Sequence, residues 1–549
     1  MRVSFKMLDL LIRNGLIIDG TGNPGYYAAL GIKDEFIHIF RGDLSSVESA
    51  RVIDASNHVV CPGFIDMHAH SGLVILSDGK HEPKVSQGIT TELIGVDGNS
   101  YAPFRNQKDL FDFIELNSGL DGNPNIKQKW ATVEDYLDLF NQHVSINVAY
   151  ILGNSVLRIN SIGWDNIPAN TSDLENMKSI IRESMEEGAF GISTGLDYPP
   201  GSFADTNELI TLSKQVQQLG GIYHTHVRYE LGDKFLDPFR EAIEIGHQSN
   251  IPVHITHFYQ RRPSRGSGRE MLELVENAVA KGLDVTFDSY PYIYGSTRLI
   301  VMFPDWAHEG GPENLKKIMR SEEGRQKMRE GGPGMQEMLA VKGVGESEGI
   351  APRGPSWQDI RLTYFKHTKN HIYEGKSVAD VAAMVGKDPV DTMCDILLEE
   401  DLQTCYVSAG ANGNTLPAFV THPLSMVGSD AVLLGDFPSP RTYGCFPVIL
   451  AEYVREEKQM SLPNAIRKMT SFPAQRLGLS DRGILRDGMK ADVTIFNPKT
   501  VAAPATLTEP KQFSTGIEYV LVNGVVVIDQ GIHTNALPGR ALKHGRSTT

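Results

Sequence analysis

Histidine and aspartate side chains at the ends of apolar runs are the residues of this sequence best suited to metal chemistry. In CPGFIDMHAHSG (61–72), His68 and His70 are separated by one alanine. Side chains alternate along a strand, so both imidazoles would point to one face. Imidazole nitrogen and carboxylate oxygen together suit zinc and similar divalent ions. Later runs end in the same residue types: Asp97 in TTELIGVDG, His224 and His226 in GIYHTH, His254 and His257 in IPVHITH, and Asp430 in SMVGSD.

Each of these residues also has a purely structural interpretation. The chain has 17 histidines, so an HxH spacing alone identifies nothing. A histidine at a strand end is commonly a hydrogen-bonded core or loop residue. Asp97-Gly98 fits a turn, and Asp430 after Gly-Ser fits a helix N-cap. The joint occurrence of imidazoles and carboxylates at successive strand ends favours the metal-site hypothesis.

The elements that must position these residues alternate between strand and helix. Between about residues 63 and 480, short apolar runs such as INVAYILGN (146–154) and LDVTFDSYPY (283–292) alternate with amphipathic stretches. One such stretch, TSDLENMKSIIRESMEEG, opens with a plausible N-cap group at Thr171-Ser172-Asp173 and closes on glycine. This alternation predicts an α/β fold, most economically a (β/α)8 TIM barrel with its chemistry at the carboxyl ends of the strands. A doubly wound sheet is the rival, but no GxGxxG opens a helix.

The two chain ends and one internal region differ in residue pattern from this alternation of strand and helix. Both ends read as short strands and turns, with predicted turns at Asn14-Gly15, Lys33-Asp34 and Asn523-Gly524. Residues 304–380 are rich in glycine, proline and charge, which predicts an insertion between two late barrel strands. Long insertions of this kind often serve as lids or binding elements.

Composition excludes several classes of protein. The chain has 549 residues and a formal net charge of −15, which argues against a nucleic-acid surface. The four cysteines are scattered without a CxxC, as is typical of a reducing compartment. No apolar stretch is long enough for a membrane span, and the first residues do not read as a signal peptide. We therefore expect a cytoplasmic protein, with the oligomeric state left open and a homo-oligomer as one option.

Several longer stretches resemble a known family. They are SQGITTELIG (86–95), GISTGLDYPPG (191–201), YHTHVR (223–228), FDSYPYIYGST (287–297), SDAVLLGDFPSPRTYGCFP (429–447) and ALPGR (536–540). Together with PGFIDMHAH they are similar to the amidohydrolase superfamily, and within it to the D-aminoacylases, over nearly the whole chain. The resemblance implies a zinc-bearing barrel at 63–480 and a small β-sandwich built from residues 1–62 and 481–549.

The resemblance also implies roles for individual residues. His226 and His257 match the two histidines at the tightly held metal, and His68, His70 and Asp430 match a second metal position. Asp430 also matches the catalytic acid/base. His224 and His254 match no ligand and are expected to be structural. The residues implied to bind the substrate and its carboxylate are Arg441, Tyr290, Ser296, Tyr198 and Tyr259.

Two positions depart from the family pattern. The D-aminoacylases typically carry a cysteine in a GNCG turn, where it completes the metal site, but this chain has GVDG with Asp97 in that place. Asp97 can still bind zinc, although a harder oxygen ligand alters metal preference. The family often has a lysine two residues past its sixth-strand ligand, where this chain has Tyr259, followed by Arg261 and Arg262.

The expected activity is metal-dependent hydrolysis of the amide bond of N-acyl amino acids, with one or two divalent ions, Zn²⁺ first. Preference for the D series rests on the resemblance alone. Cyclic-amide hydrolases of the superfamily use a carboxylated lysine on the fourth strand, and GAFGISTGLDYPP (188–200) has no lysine. Dipeptide, lactone or lactam hydrolysis and deamination stay open as alternatives. A scaffold without metal is the alternative from another class, but His68, His70, His226, His257 and Asp430 are all present.

Overall fold

A set of parallel strands forms the centre of the computed structural model, which describes residues 7–229, 234–261, 266–330 and 356–545. The strands fall into two hydrogen-bonded groups that follow chain order. The first contains Phe64–Asp66, Ile89–Ile94 and Asn147–Tyr150, edged by the short strand Ala541–Leu542. The second contains Leu152–Gly153, Gly191–Gly195, Ile222–His226, Val253–Ile255, Val285–Ser289 and Ser425–Val427.

Backbone contacts join the two groups at both of their edges. The amide of Ile151 donates to the carbonyl of Ile94 at 2.9 Å, beside the point where one group passes into the other. At the other edge, the amide of Met67 lies 3.4 Å from the carbonyl of Val427. Ala69 and Ala431 form a parallel bridge one step further. The first parallel strand is therefore a neighbour of the last one, and the carboxyl ends of both reach the same place.

Amphipathic helices connect these strands, as their apolar spacing predicts. In the helix Thr171–Glu187 the N-cap is Asn170, one residue before the predicted group, and Asp173 completes a capping box. The connecting helices are Val74–Ser77, Glu82–Val85, Gln107–Asp121, Val133–Asp138, Asn154–Ser161, Thr171–Glu187, Thr206–Gln218, Asp237–Ser249 and Gly268–Ala280. After the last parallel strand come Arg441–Val448, a π-helical turn Ile449–Glu456, Leu462–Met469 and Ser471–Arg476.

Two β-sheets at the chain ends share one hydrophobic core, which includes Leu10, Ile32 and Ile495. One sheet has the strand order Phe36–Phe40, Ala29–Lys33, Leu8–Arg13, Ser49–Asp54. The other combines both ends of the chain in the order Ile532–His533, Val525–Asp529, Ile517–Val522, Val493–Phe496, Val59–Pro62, Leu16–Ile17, Tyr26–Tyr27.

The predicted turns at the chain ends have different outcomes. Strands on either side of Asn523-Gly524 pair as a hairpin, and both turn residues have positive φ. The turn after Lys33 is also a hairpin turn. The hairpin at Asn14-Gly15 is wrong, because the strands before and after it enter different sheets. A turn signal alone does not specify which strands will pair.

A long excursion separates the last two parallel strands, Val285–Ser289 and Ser425–Val427. It contains a three-stranded antiparallel sheet in the order Tyr294–Arg298, Cys405–Ala409, Arg361–Tyr364 and has a hydrophobic core of its own. The sequence places the insertion at 304–380, of which residues 331–355 lie outside the described part of the chain. Its helices are Leu299–Met302, Asp305–His308, Gly311–Arg320, Glu322–Glu330, Thr368–Tyr373, Val378–Val385, Pro389–Glu399 and Leu416–Thr421.

Within the described residues, none of the helices has the length and apolar character that crossing a membrane requires. All four cysteines are buried and unpaired.

Candidate metal centre and active site

The six residues predicted to bind metal converge at the carboxyl ends of the parallel strands. They follow or end five strands, with His68 and His70 after the same one, so the fold brings together positions up to 362 residues apart. They form two overlapping groups in which the potential ligand atoms of each group lie within 4.8 Å of one another. The groups are His68, His70, Asp97 and Asp430, and Asp97, His226 and His257.

The first group places two imidazoles against two carboxylates. Nε2 of His68 lies 3.2 Å from Oδ2 of Asp97 and 3.6 Å from Oδ1 of Asp430. Nε2 of His70 lies 3.6 Å and 3.3 Å from the same two oxygens. The two Nε2 atoms are themselves 3.3 Å apart. Four donor atoms therefore face one small volume.

The second group shares Asp97 with the first. Nδ1 of His226 and Nε2 of His257 are 2.9 Å apart, and they lie 3.5 Å and 3.8 Å from Oδ2 of Asp97. The same carboxylate oxygen thus faces both pairs of histidines. Asp97 occupies the junction of the two groups, in the turn where the family pattern places a cysteine.

This donor set fits a divalent cation. Ligand atoms at about 2 Å from a tetrahedral zinc ion are separated by about 3–3.5 Å, which is the range of many distances above. Oδ1 of Asp97 is buried and has no hydrogen-bond partner among the described residues. A buried carboxylate oxygen without a partner is costly unless an ion satisfies it.

The outer nitrogens of three histidines are held by residues that the sequence reasoning missed. Nε2 of His226 lies 2.9 Å from Oδ2 of Asp197, and Nδ1 of His257 lies 2.9 Å from the hydroxyl of Tyr229. Nδ1 of His70 lies 3.2 Å from Oδ1 of Asp121. Such contacts fix which ring nitrogen faces the metal position. Asp197 lies inside the quoted GLDYPPG stretch and Tyr229 directly follows YHTHVR, but nothing in the spacing marks Asp121.

Strained backbone brings the carboxylates into the centre. Asp97, His257 and Asp430 have φ angles of 54°, 34° and 47°, a region that non-glycine residues rarely adopt. Buried Asp66 ties the neighbouring loops together, since it accepts from the amides of His68 at 3.1 Å and Ser429 at 2.8 Å. Such strain is typical of functional sites, where the surrounding structure holds it in place.

The electrostatics of the centre favour bound positive charge. The pKa of Asp430 is lowered: burial opposes ionisation, but Arg441 and His68 outweigh it. The pKa of His68 rises to about 10, because Asp97 and Asp430 outweigh the opposing effect of burial. Burial lowers the pKa of His257 to about 4. A cation that binds through His68 must therefore displace a proton, which couples binding to pH.

His224 and His254, expected to be structural, lie beside the centre with Asp288. Nε2 of His254 is 3.0 Å from Oδ2 of Asp288, and Nε2 of His224 is 3.1 Å from the carbonyl of Met67. The other oxygen of Asp288 accepts from the amide of His257 at 2.7 Å. This group thus supports the backbone of a candidate ligand.

A cavity of about 450 Å³ opens onto the centre. Of the predicted substrate residues, Tyr198, Tyr259, Tyr290 and Ser296 line it, and the hydroxyls of Tyr259 and Tyr290 are 2.8 Å apart. The ring of Tyr198 lies 4.6 Å from that of His226. Further lining residues are Asp197, Arg228, Tyr229, Arg261, Asp305 and Tyr406.

Arg441 lies behind this wall and is fully buried. Its Nη1 is 2.9 Å from Oδ2 of Asp430, and its guanidinium carbon is 4.3 Å from the ring centre of Tyr290. Nη2 lies 3.3 Å from the carbonyl of Ser296. The structure therefore brings Arg441 together with its predicted neighbours. Arg262, the second arginine after Tyr259, lies outside the described residues.

Parallel strands with histidine and aspartate groups at their carboxyl ends define the class: an α/β protein with a metal-binding site. The amidohydrolase family matches residues 51–292 and 358–528, and the chain belongs to this family.

The relatives and solved structures most similar to the chain span its whole length. It is 32% identical to a D-aminoacylase of Alcaligenes xylosoxydans xylosoxydans over 536 residues, with 97% of each protein covered. An N-acyl-D-glutamate deacylase of the same organism is 31% identical, with 99% and 98% covered. The crystal structure of an N-acyl-D-glutamate deacylase from Bordetella bronchiseptica, complexed with zinc and a phosphonate mimic of the tetrahedral intermediate, has a TM-score of 0.80 at 30% identity. The match covers 98% of this chain and all of that one.

More distant structures share the fold alone. A dihydropyrimidinase from Brevibacillus agri has a TM-score of 0.57 at 14% identity, with 97% of this chain and 98% of that one covered. Hydrolases of cyclic amides and of linear amides thus use related folds, and the residues of the site must distinguish them.

Proposed function

We propose that the protein is a zinc-dependent hydrolase that cleaves N-acyl amino acids, with a preference for the D series, into a carboxylate and a free amino acid. One observation carries the proposal: five of the six potential metal ligands line one cavity, and the sixth, His68, lies in the same group as three of them. The five are His70, Asp97, His226, His257 and Asp430. The full-length similarity to D-aminoacylase and N-acyl-D-glutamate deacylase supports the substrate class.

The proposal includes a domain organisation. Residues 63–480 form a (β/α)8 barrel, which the neighbouring first and last parallel strands support. Residues 1–62 and 481–549 form a β-sandwich, supported by the core that the two terminal sheets share. The excursion between the last two parallel strands, which is longer than the insertion at 304–380, brings Ser296 and Tyr406 to the cavity, as expected for a region that shapes a substrate site.

Metal binding and proton transfer are assigned to different sets of residues, with Asp430 in both. His68, His70, Asp97, Asp430, His226 and His257 would hold one or two ions. A divalent ion in such a site polarises the scissile carbonyl and lowers the pKa of water. The carboxylate of Asp430 takes the proton of the attacking water and delivers it to the departing amine nitrogen. Its lowered pKa keeps it in the form that accepts this proton.

We assign binding of the amino-acid end of the substrate to the part of the cavity wall beside Asp430. The N–H fork of Arg441 suits a carboxylate: Nη1 faces Asp430, and Nε has no hydrogen-bond partner among the described residues. Tyr290 and Ser296 lie against the same guanidinium and assist it. Tyr198 and Tyr259 complete the wall on either side of the histidines.

Hydrolysis of cyclic amides is the second candidate within the family, favoured by the shared fold. Against it, the strand Gly191–Gly195 and its flanks have no lysine that could bridge two metals. A scaffold without metal is disfavoured by the buried Oδ1 of Asp97, which has no hydrogen-bond partner among the described residues. Cytoplasmic location stays a prediction.

A hydrolysis screen tests the proposal. Purified protein is stripped of metal and reloaded with Zn²⁺, then assayed with N-acetyl D- and L-amino acids beside hydantoin and dihydroorotate. We expect release of free D-amino acids that depends on metal. Hydrolysis of cyclic amides alone would overturn the assignment, and absence of stoichiometric metal with no activation by zinc would favour the scaffold.

A further inference from the structure

Arg261 presents its guanidinium to the cavity. It lines the wall, and its guanidinium carbon stacks 3.4 Å from the ring centre of Tyr229 and 5.7 Å from that of Tyr259. Its backbone forms an antiparallel β-bridge with Ala411, which lies in the excursion between the last two parallel strands. Stacking on aromatic rings orients a guanidinium without using up its N–H donors.

At least one N–H donor of Arg261 makes no hydrogen bond among the residues that the structure describes. Its Nε is buried without a hydrogen-bond partner, and no ion pair of Arg261 occurs among the described residues. The nearby carboxylate of Asp197 already faces Nε2 of His226 and accepts from the amide of Tyr229. An arginine held in this way at a cavity wall is suited to an anion that arrives with a ligand.

The other arginines near the cavity have protein partners. Arg228 donates to the carbonyls of Ser202 and Ala204 at 2.6 Å and 2.7 Å. Arg441 is paired with Asp430. Arg261 is thus set apart by its position at the cavity wall and by having no ion pair among the described residues.

Arg261 and Arg441 lie on opposite sides of the tyrosine pair. Arg441 stacks on Tyr290, Arg261 approaches Tyr259, and the two rings are 5.4 Å apart between them. In an N-acyl amino acid a single carbon separates the α-carboxylate from the scissile nitrogen. That carboxylate must therefore lie near Asp430, on the Arg441 side. The amino-acid side chain branches from the same carbon as the α-carboxylate, so we assign to it, rather than to the acyl group, the part of the substrate that reaches Arg261.

We propose that Arg261 binds a second carboxylate, carried on the substrate's side chain, and that the preferred substrates are N-acyl derivatives of acidic amino acids. The inference rests on the proposed function, since it places the scissile amide beside Asp430. Arg261 then determines specificity and takes no part in the bond cleavage itself. The guanidinium fork would receive the side-chain carboxylate in bidentate fashion.

Matched substrates test this inference. N-acetyl-D-glutamate and N-acetyl-D-glutamine have nearly the same shape and differ in the side-chain charge. We expect kcat/KM to be about tenfold to a hundredfold higher for the glutamate derivative, mostly through KM, as the loss of one charge-assisted contact implies. R261Q should remove this preference, because it lowers kcat/KM for the glutamate derivative far more than for the glutamine derivative, and R261K should keep part of it. R269Q, at an exposed arginine of the following helix, serves as the control.

Charge reversal and a binding measurement make the outcome decisive. R261E should reject N-acetyl-D-glutamate and improve hydrolysis of N-acetyl-D-lysine. Calorimetry with the same acetylated ligands on the slow variant D430N reads binding with little turnover. Equal affinity of D430N for the glutamate and glutamine derivatives, or an equal loss of kcat/KM for both in R261Q, would overturn the inference. Failure of the proposed function differs, because no N-acetyl amino acid would then be hydrolysed whatever its charge.

Discussion

Arg441 and Asp430 form a buried ion pair, with Nη1 of the arginine 2.9 Å from Oδ2 of the aspartate. Family resemblance assigns the arginine to the substrate carboxylate and the aspartate to proton transfer. In this pair, the residue assigned to substrate binding contacts the residue assigned to proton transfer. Since Nε of Arg441 has no hydrogen-bond partner among the described residues, one guanidinium can hold Asp430 through Nη1 and still offer a donor to a substrate carboxylate.

Substitution of Arg441 by lysine tests this double role. An ammonium keeps the charge but cannot contact two carboxylates in fork geometry. We expect R441K to raise KM and lower kcat together, with kcat/KM reduced about a hundredfold. Steady-state kinetics on N-acetyl-D-amino acids measures both, with R269K as the control. An unchanged KM would remove Arg441 from substrate binding.

Substitution of Asp97 tests its place at the junction of the two metal groups. D97N removes the anionic oxygen that faces both histidine pairs, so we expect metal content and activity to fall together. D97C restores the family residue, and its thiolate should keep zinc while weakening the response to harder ions such as Mn²⁺. Elemental analysis and reactivation with each metal measure these outcomes. Full metal content in D97N would show that Asp97 is no ligand.

The site was more predictable from the sequence than the contacts around it. His68, His226 and Asp430 end apolar runs of an alternating pattern, and parallel strands bring their carboxyl ends together whatever lies between them. Asp121 could not be found in this way, since its contact with His70 depends on how one helix packs. The Asn14-Gly15 hairpin failed for a related reason, because pairing depends on distant strands that local turn residues do not specify.

Substitution of Tyr229 by phenylalanine tests the outer contact of His257. The ring and its stacking with Arg261 are kept, but the hydroxyl 2.9 Å from Nδ1 is lost. We expect metal affinity or activity to fall about tenfold to a hundredfold, as for other residues that orient metal-binding histidines. Metal competition with a chelator and kcat measure the loss. Wild-type metal affinity and kcat in Y229F would make the contact incidental.

The buried amine of Lys468 allows a prediction of how the free energy of unfolding depends on pH. Its buried Nζ lies 2.9 Å from the carbonyl of Ser425, and burial, with a smaller contribution from Arg467, lowers its pKa to about 7. Between about pH 7 and 10 the unfolded chain binds a proton here that the folded protein does not. The free energy of unfolding therefore rises with pH, by at most about 1.4 kcal/mol per unit from this group.

The variant K468M lacks this titration, so the wild type should gain stability relative to it as the pH is raised from about 7 to about 9.5. Thermal unfolding across that range measures the difference. K499M, at an exposed lysine, should stay parallel to the wild type. Parallel curves for K468M and the wild type would contradict the lowered pKa of Lys468.

Substitution of Asp430 by asparagine separates proton transfer from metal binding. Asparagine has the same shape and its amide oxygen can still accept from Arg441, while His226, His257 and Asp97 are left in place to hold metal. The amide cannot take a proton from water at neutral pH, so we expect kcat to fall about 10²–10⁴-fold with fold and metal content retained. D436N is the matched control, since Asp436 lies six residues later in an ion pair with exposed Lys511. Near-normal turnover in metal-loaded D430N would assign the proton transfer to another group.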